Sequence, residues 1–316
     1  LVIQGPGLSF SYFFGGVQLV SEIPLTGLRS LTGDRPDLPR IEVVAGLGEA
    51  PPEDKLHFDW HGRFQMRLGE AGGEWRMGSP WGTYLFDRGA SRVRIFGADG
   101  PDATVIKDLF ARRLLPRLVK LKGGATYHAA SLARDGKAIL VMGPSGAGKS
   151  TMSVGLAASE GWDILGDDMA LIWGDGAGMV APAAADVTIW PQSCAGLNLP
   201  PEACTPLEGY DGKHAFHPRR MDSLDPVPLG GIFFLNRGDC DRAQLMRHTR
   251  AEAFTRALSQ LIYFNPSGGK GGERLESVMR LNVLLGEVPA WTLTYPASYA
   301  SFGAASDSIR AALQAA

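Results

Sequence analysis

Eight residues near the middle of the chain, Gly143, Pro144, Ser145, Gly146, Ala147, Gly148, Lys149 and Ser150, fit the pattern G-x-x-x-x-G-K-[ST]. In such a loop successive backbone N–H groups surround an anion, the lysine reaches the β- and γ-phosphates of a nucleotide, and the hydroxyl is offered to Mg²⁺. Thr151 is the ordinary first-turn residue after that hydroxyl. Two adjacent carboxylates, Asp167 and Asp168, follow Lys149 by only 18 positions, in the run LGDDMAL. Side chains alternate along an extended backbone, so neighbouring carboxylates at the edge of a strand cannot face the same way, but they can divide labour. One can hold the Mg²⁺ that bridges the phosphates while the other accepts the proton of an attacking hydroxyl. Alone, GDD is commonly a solvated acidic turn or a helix cap; at this distance from the loop it is the pair that phosphoryl transfer needs.

The loop needs a strand to deliver it and a helix to receive it. ATYHAASLA reads as a strand, RDGK as a turn, and AILVMG as an apolar run leading into the loop, so a hairpin precedes it. KSTMSVGLAASE then reads as a helix, ending at Gly161 in the position that favours a left-handed residue. Further on, WDILGDDMALIW and GMVAPA read as two more strands, DVTIWP as another, and LGGIFFLN as a buried one. Between Gln192 and Pro228 proline and glycine are dense and periodicity fades, which predicts an irregular functional loop. RAEAFTRALSQLIYF and ERLESVMRLNVLLGEV carry helical spacing on either side of PSGGKGG, and AWTLTYP with SDSIRAALQAA reads as a last strand and closing helix.

The earlier part has a different texture. From about Ser9 to Gly100, short runs such as IEVVAG, LHFDW, RFQMRL, WGTYLF and SRVRIF lie between Gly- and Pro-rich turns and read as strands. PDATVIKDLFARRLLPRLV then changes to helical spacing. The expected division is therefore a β-rich accessory domain over 8–100, a linking helix over 101–120, and a catalytic domain over 121–316. Residues 1–7, LVIQGPG, read as what a cleaved tag linker leaves behind.

Composition removes several classes of function. A net charge of −2 supplies no overall basic field, which argues against nucleic acid as a partner. No apolar run reaches the 18 or more residues of a membrane-spanning helix, so the chain reads as cytoplasmic with no membrane partner. Cys194, Cys204 and Cys240 are odd in number and lack C-x-x-C spacing, which points to buried or incidental thiols.

Tyr127 to Ile172, 46 of the 316 residues, resembles the HPr kinase/phosphorylase group and its fold relatives, the ATP-dependent phosphoenolpyruvate carboxykinases. In that family a histidine precedes a hairpin, the hairpin enters the phosphate loop, and a short helix leads to a paired DD; His128, Gly143–Ser150 and Asp167–Asp168 match in order and spacing. The resemblance implies an α/β (α+β) fold: an HPr kinase C-terminal/phosphoenolpyruvate carboxykinase-like P-loop domain with a smaller β-rich N-terminal domain. It also implies ATP and Mg²⁺, with Lys149 on the β- and γ-phosphates and Ser150 sharing the metal with one aspartate. On this reading Asp168 is the metal ligand and Asp167 the general base, an assignment that can be exchanged. His128 would lie near the metal and the reacting phosphate, although a histidine on an apolar strand is also commonly a satisfied core residue.

An E-x-R-G type signature beyond the DD is missing, and the N-terminal region is unlike that of the HPr kinases, so HPr is a poor candidate substrate. The layout is more similar to HPr-kinase-related peptide kinases, including those acting on lasso-peptide precursors. That resemblance implies a peptide serine as acceptor, or a small hydroxyl compound, and a homo-oligomer. Glu208–Pro218, EGYDGKHAFHP, is similar to a lysine-bearing loop of those relatives. Lys213, with Arg219 or Arg220 as substitutes, could neutralise charge on the transferred group; a solvated basic loop is the alternative. The competing readings are a small-molecule or serine kinase, a reversible kinase/phosphorylase, and a nucleotide-binding regulatory module without an acceptor.

Overall fold

The computed structural model describes all residues except 1–9, 26, 62–64, 175, 177, 184–185, 208–211, 220, 222, 263–271 and 316. The tag-linker reading of residues 1–7 therefore lies outside the described residues, as does PSGGKGG apart from its last glycine, Gly272, which opens a helix. The fold is mixed α/β, and the described residues form two compact units, one up to Gly124 together with Gly272 and Glu273, and one from Ala125 to Ile262 and from Arg274 onward.

The first unit is dominated by one nine-stranded sheet. Its strands are β1 (Phe10–Phe14), β2 (Val17–Ser21), β3 (Arg29–Ser30), β4 (Arg40–Ala45), β5 (Lys55–Trp60), β6 (Met66–Ala71), β7 (Glu74–Ser79), β8 (Gly82–Phe86) and β9 (Arg92–Phe96), in the order β3-β1-β2-β4-β9-β8-β7-β6-β5. Alternation produces this: Trp75, Met77, Tyr84 and Phe86 are buried, and the antiparallel β6–β9 meander follows from tight turns such as Gly72–Gly73, where both φ angles are positive. The helical segment after the sheet is not continuous. Helix α1 (Ala103–Leu109) passes through a π turn at Phe110–Leu114 into α2 (Leu115–Leu121). Pro116 has no N–H to donate back along a helix, and the wider turn just ahead of it lets Leu115 N–H bond Phe110 O instead. The helices pack on the sheet of this unit: the Tyr84 hydroxyl donates to Ile106 O at 2.6 Å, and its ring lies 6.1 Å from that of Phe110.

In the second unit the central strands are β11 (Ala129–Arg134), β12 (Lys137–Met142) and β13 (Asp163–Gly166), with β19 (Val227–Gly238) and β21 (Ala290–Pro296) farther along the chain. They lie in the order β13-β11-β12-β19-β21, with β12, β19 and β21 parallel and β11 antiparallel to both its neighbours. Parallel strands covered on both faces read as continuous apolar runs, and Ala138 to Met142 and Gly231 to Leu235 are buried throughout. One face packs Leu132, Val141, Phe233 and Leu293 against α3 (Lys149–Glu160) and α7 (Phe302–Gln314). The other packs Leu140, Ile232 and Phe234 against α5 (Arg250–Leu258) and α6 (Gly272–Glu287). A third layer of strands, β10 (Ala125–Tyr127), β14 (Ala170–Trp173) and β15 (Met179–Ala181), joins the beginning of β19, and β20 (Gln244–Arg247) pairs with β21.

Three expectations from the sequence are corrected. WDILGDDMALIW is two strands, β13 and β14, because Asp168 adopts a left-handed φ of 60° and turns the chain between them. ATYHAASLA is likewise broken at His128 into β10 and β11, which pair with different neighbours. The stretch from 192 to 228 is more regular than its composition suggests. It holds most of α4 (Pro191–Gly196), β17 (Cys204–Pro206) and β18 (His214–Phe216), the last two forming a small sheet with β16 (Val187–Ile189) in the order β16-β18-β17. Pairing with partners distant in sequence supplies the order that local periodicity does not. The three cysteines are free, with Cys194 and Cys204 buried. Among the described residues no helix is long and apolar enough to cross a membrane.

Candidate active site

The site forms where the carboxyl ends of β12, β13, β19 and β21 meet. Met142 ends β12, and the chain then winds through Gly143 (φ 156°), Gly146 (φ 82°) and Gly148 (φ 96°) before α3 begins at Lys149. Gly148 is required on two counts. Its left-handed φ is costly for other residues, and a Cβ there would come within 2.5 Å of the Tyr295 hydroxyl. Pro144, Ser145 and Gly146 are exposed at the tip, whereas Gly143 and Ala147 are buried at its base. The exposed tip thus leads directly into the N-terminus of α3, and a helix N-terminus attracts an anion.

Lys149 is buried, with 7% of its surface exposed, and its Nζ donates to Gly143 O at 2.8 Å and Pro144 O at 3.4 Å. Burial holds its ammonium below the ordinary lysine range, and the carboxylates of Asp168 and Asp167 pull in the opposite direction. The two carbonyls are neutral partners, and an anionic phosphate oxygen would compete with them through a stronger, charge-assisted bond.

The register brings the remaining groups to the same end of the sheet. Ser131 on β11 lies opposite Gly166 on β13, and Ala129 lies opposite Met142 on β12. His128, one residue ahead of β11, therefore falls between the start of the loop and the turn at Asp167–Asp168. Its backbone N–H donates to Gln260 O at 2.7 Å, and its side chain is half-buried. Ser150 Oγ donates to Asp167 Oδ1 at 3.2 Å, and the Thr188 N–H on β16 donates to Asp167 Oδ2 at 3.3 Å. Asp168 is exposed. Ser150 is thus partnered with Asp167, while the sequence reading had paired it with Asp168.

Ser150 Oγ and Asp167 Oδ1 are hard oxygen donors a hydrogen bond apart, and Mg²⁺ is commonly held by one or two carboxylates with phosphate and water completing its octahedron.

The Thr151 hydroxyl pairs with Ser193 Oγ at 3.0 Å, which in turn meets the Tyr299 hydroxyl at 3.1 Å, so Thr151 ties the first turn of α3 to α4. Lys213 lies over the Trp190 ring, its Nζ 5.0 Å from the centroid, at the start of α4. Arg219 pairs with Asp163 at 3.2 Å. Asp163 opens β13 and Asp167 follows its far end, so at 3.3 Å per residue the two are about 13 Å apart along the strand. Arg219 is accordingly anchored away from the loop. Arg220 lies outside the described residues.

Two side chains that the sequence reading did not single out belong here. The Tyr295 hydroxyl, at the end of β21, donates to Ala147 O at 2.8 Å and fastens the loop from below; burial pushes its phenol up to about 12, with the charge of Arg237 opposing. Arg237, at the end of β19, places Nη1 3.4 Å from Gly146 O. Both follow apolar strand runs in the sequence, and the carboxyl ends of parallel strands are where α/β sheets carry ligand contacts.

Over residues 106–188 the chain matches the family model described as SynChlorMet cassette protein ScmC. The matched stretch takes in His128, the glycine loop, Asp167 and Asp168. No curated protein matches the chain. Among solved structures, the HPr(Ser) kinase/phosphatase from Coxiella burnetii is similar with a TM-score of 0.31 and 13% identity, over 60% of this chain and 97% of that one.

Proposed function

We propose that this chain is an ATP- and Mg²⁺-dependent phosphotransferase that moves a γ-phosphoryl group to a hydroxyl, with a serine of a ribosomally made peptide as the acceptor. The observation that carries this reading is the meeting, at one sheet end, of a glycine loop, the buried Lys149 and the Ser150–Asp167 contact. The loop amides and Lys149 bind the phosphate chain. Ser150 and Asp167 hold Mg²⁺, which when bound neutralises charge on the phosphate oxygens. Asp168 accepts the proton of the acceptor hydroxyl: it is exposed beside Asp167, and its left-handed φ is a local cost that a purely structural turn would relieve with glycine. A nucleotide sensor would need the metal ligand but not this second carboxylate. His128 stands between loop and turn as an orienting group for phosphate or acceptor.

The test is incubation of the whole chain with Mg-ATP and candidate serine-containing precursor peptides, read by mass spectrometry for a phosphate adduct. Lys149→Ala, which keeps the fold but removes the cation, is expected to lower turnover by about 10²-fold or more. Unchanged turnover in a folded Lys149→Ala protein would sink the proposal.

A further inference from the structure

We propose that Arg237 is a second phosphate-binding cation of this site, gripping the nucleotide's phosphate chain from the side of the loop opposite Ser150 and Asp167. The inference rests on the reading of the loop as a nucleotide site and adds a residue that the loop pattern does not contain. Strand order supplies the geometry. In the sequence β13-β11-β12-β19-β21, the loop leaves β12, Asp167 leaves β13 on one side, and Arg237 ends β19 on the other. A phosphate chain bound in the loop would therefore be flanked by the metal-binding oxygens and by a guanidinium.

The present partner of Arg237 is weak. Its Nη1 reaches Gly146 O at 3.4 Å, its Cδ lies 3.6 Å from the position a Cβ on Gly148 would take, and the residue is exposed. None of the ion pairs among the described residues includes it, whereas Arg134, at the end of β11, is paired with Glu160. An unpaired guanidinium held across the rim of a phosphate-binding loop has donors to spare, and its planar fork matches phosphate oxygens with two parallel bonds. Lys149 is buried at the base of the loop and Arg237 is exposed at its rim, so the two cations approach the chain from different directions.

Calorimetric titration of the whole protein with Mg-ATP and with inorganic tripolyphosphate separates the possibilities. Arg237→Ala is expected to weaken both ligands by on the order of 10- to 100-fold, with Arg237→Lys recovering part of the loss and Arg237→Gln little of it. Gln can still donate to Gly146 O but carries no charge, so wild-type affinity in Arg237→Gln would show that the side chain only positions the loop and would overturn the inference. Loss of ATP binding with tripolyphosphate unaffected would place the guanidinium on the base and overturn it too. If Lys149→Ala loses both ligands while Arg237→Ala binds as the wild type does, the nucleotide site stands and this inference alone fails; a wild-type chain that binds neither ligand removes both.

Discussion

In the proposed function, the division of labour between Asp167 and Asp168 follows from which one the backbone turns inward. Asp167 follows β13 directly and accepts from Ser150 and from Thr188 N–H, while the left-handed φ at Asp168 swings the next carboxylate out to solvent. Asp167→Asn is therefore expected to impair Mg²⁺-dependent nucleotide binding and turnover together. Asp168→Asn is expected to leave binding nearly unchanged and slow transfer by on the order of 10²–10⁴-fold. Titration of nucleotide at several Mg²⁺ concentrations, beside single-turnover rates, checks both; equal binding defects in the two variants would refute the assignment. The sequence made Lys149, Ser150 and the two aspartates visible because they are close along the chain. It favoured Asp168 as the partner of Ser150 with the roles exchangeable, because the choice depends on a backbone φ that no side-chain pattern announces for aspartate. Arg237, Tyr295 and Thr188 were not legible, since only strand pairing across long separations brings them to the loop.

At the scale of elements, the strand-loop-helix unit was legible down to its end: Gly161 closes α3 with a φ of 71°, as its place after the helical run predicts. The turn that carries the carboxylates was not, because LGDDMAL is apolar on both sides and alternation alone reads through it. What makes the turn fit is Gly166, where a Cβ would sit 2.6 Å from Met169 O and 3.1 Å from Ser131 Oγ. The first of those atoms is backbone and cannot swing aside. Gly166→Ala is expected to push Met169 away and reshape the Asp167–Asp168 turn, at a cost of about 1–3 kcal/mol in stability with a loss of Mg²⁺-dependent nucleotide binding. Gly303→Ala on α7 is the control, because nothing lies within 4 Å of the added carbon, and helix propensity alone makes it neutral or stabilising by up to about 1 kcal/mol. Urea unfolding midpoints of the two variants should move in opposite directions or, for Gly303→Ala, not at all; a Gly166→Ala protein with wild-type midpoint and metal dependence would show that the turn does not need glycine.

At the scale of the whole molecule, every described group placed at the candidate site comes from the second unit. So do both of its hydrophobic cores, which draw only on residues after Gly124, and its sheets share no strand with the nine-stranded sheet that precedes them. Along the sequence the texture changes from short strands to a helix and then to longer apolar runs, but what the first part does is carried by no motif. Its sheet ends in β5, where Phe58 and Trp60 are exposed beside a row of backbone groups with, among the described residues, no further strand of this sheet to pair with. An extended peptide adds to such an edge through main-chain hydrogen bonds. A chain starting at Gly124 is thus expected to fold, to bind Mg-ATP with the affinity of the full chain, and to show a raised apparent KM for a peptide acceptor with kcat less affected. Nucleotide titration establishes the first part and steady-state kinetics against the acceptor the second. Should the shortened chain phosphorylate the full acceptor with unchanged KM, the N-terminal sheet contributes stability or assembly but not acceptor binding; should it fold yet fail to bind nucleotide, the site is not confined to the second unit as its cores and strand order imply.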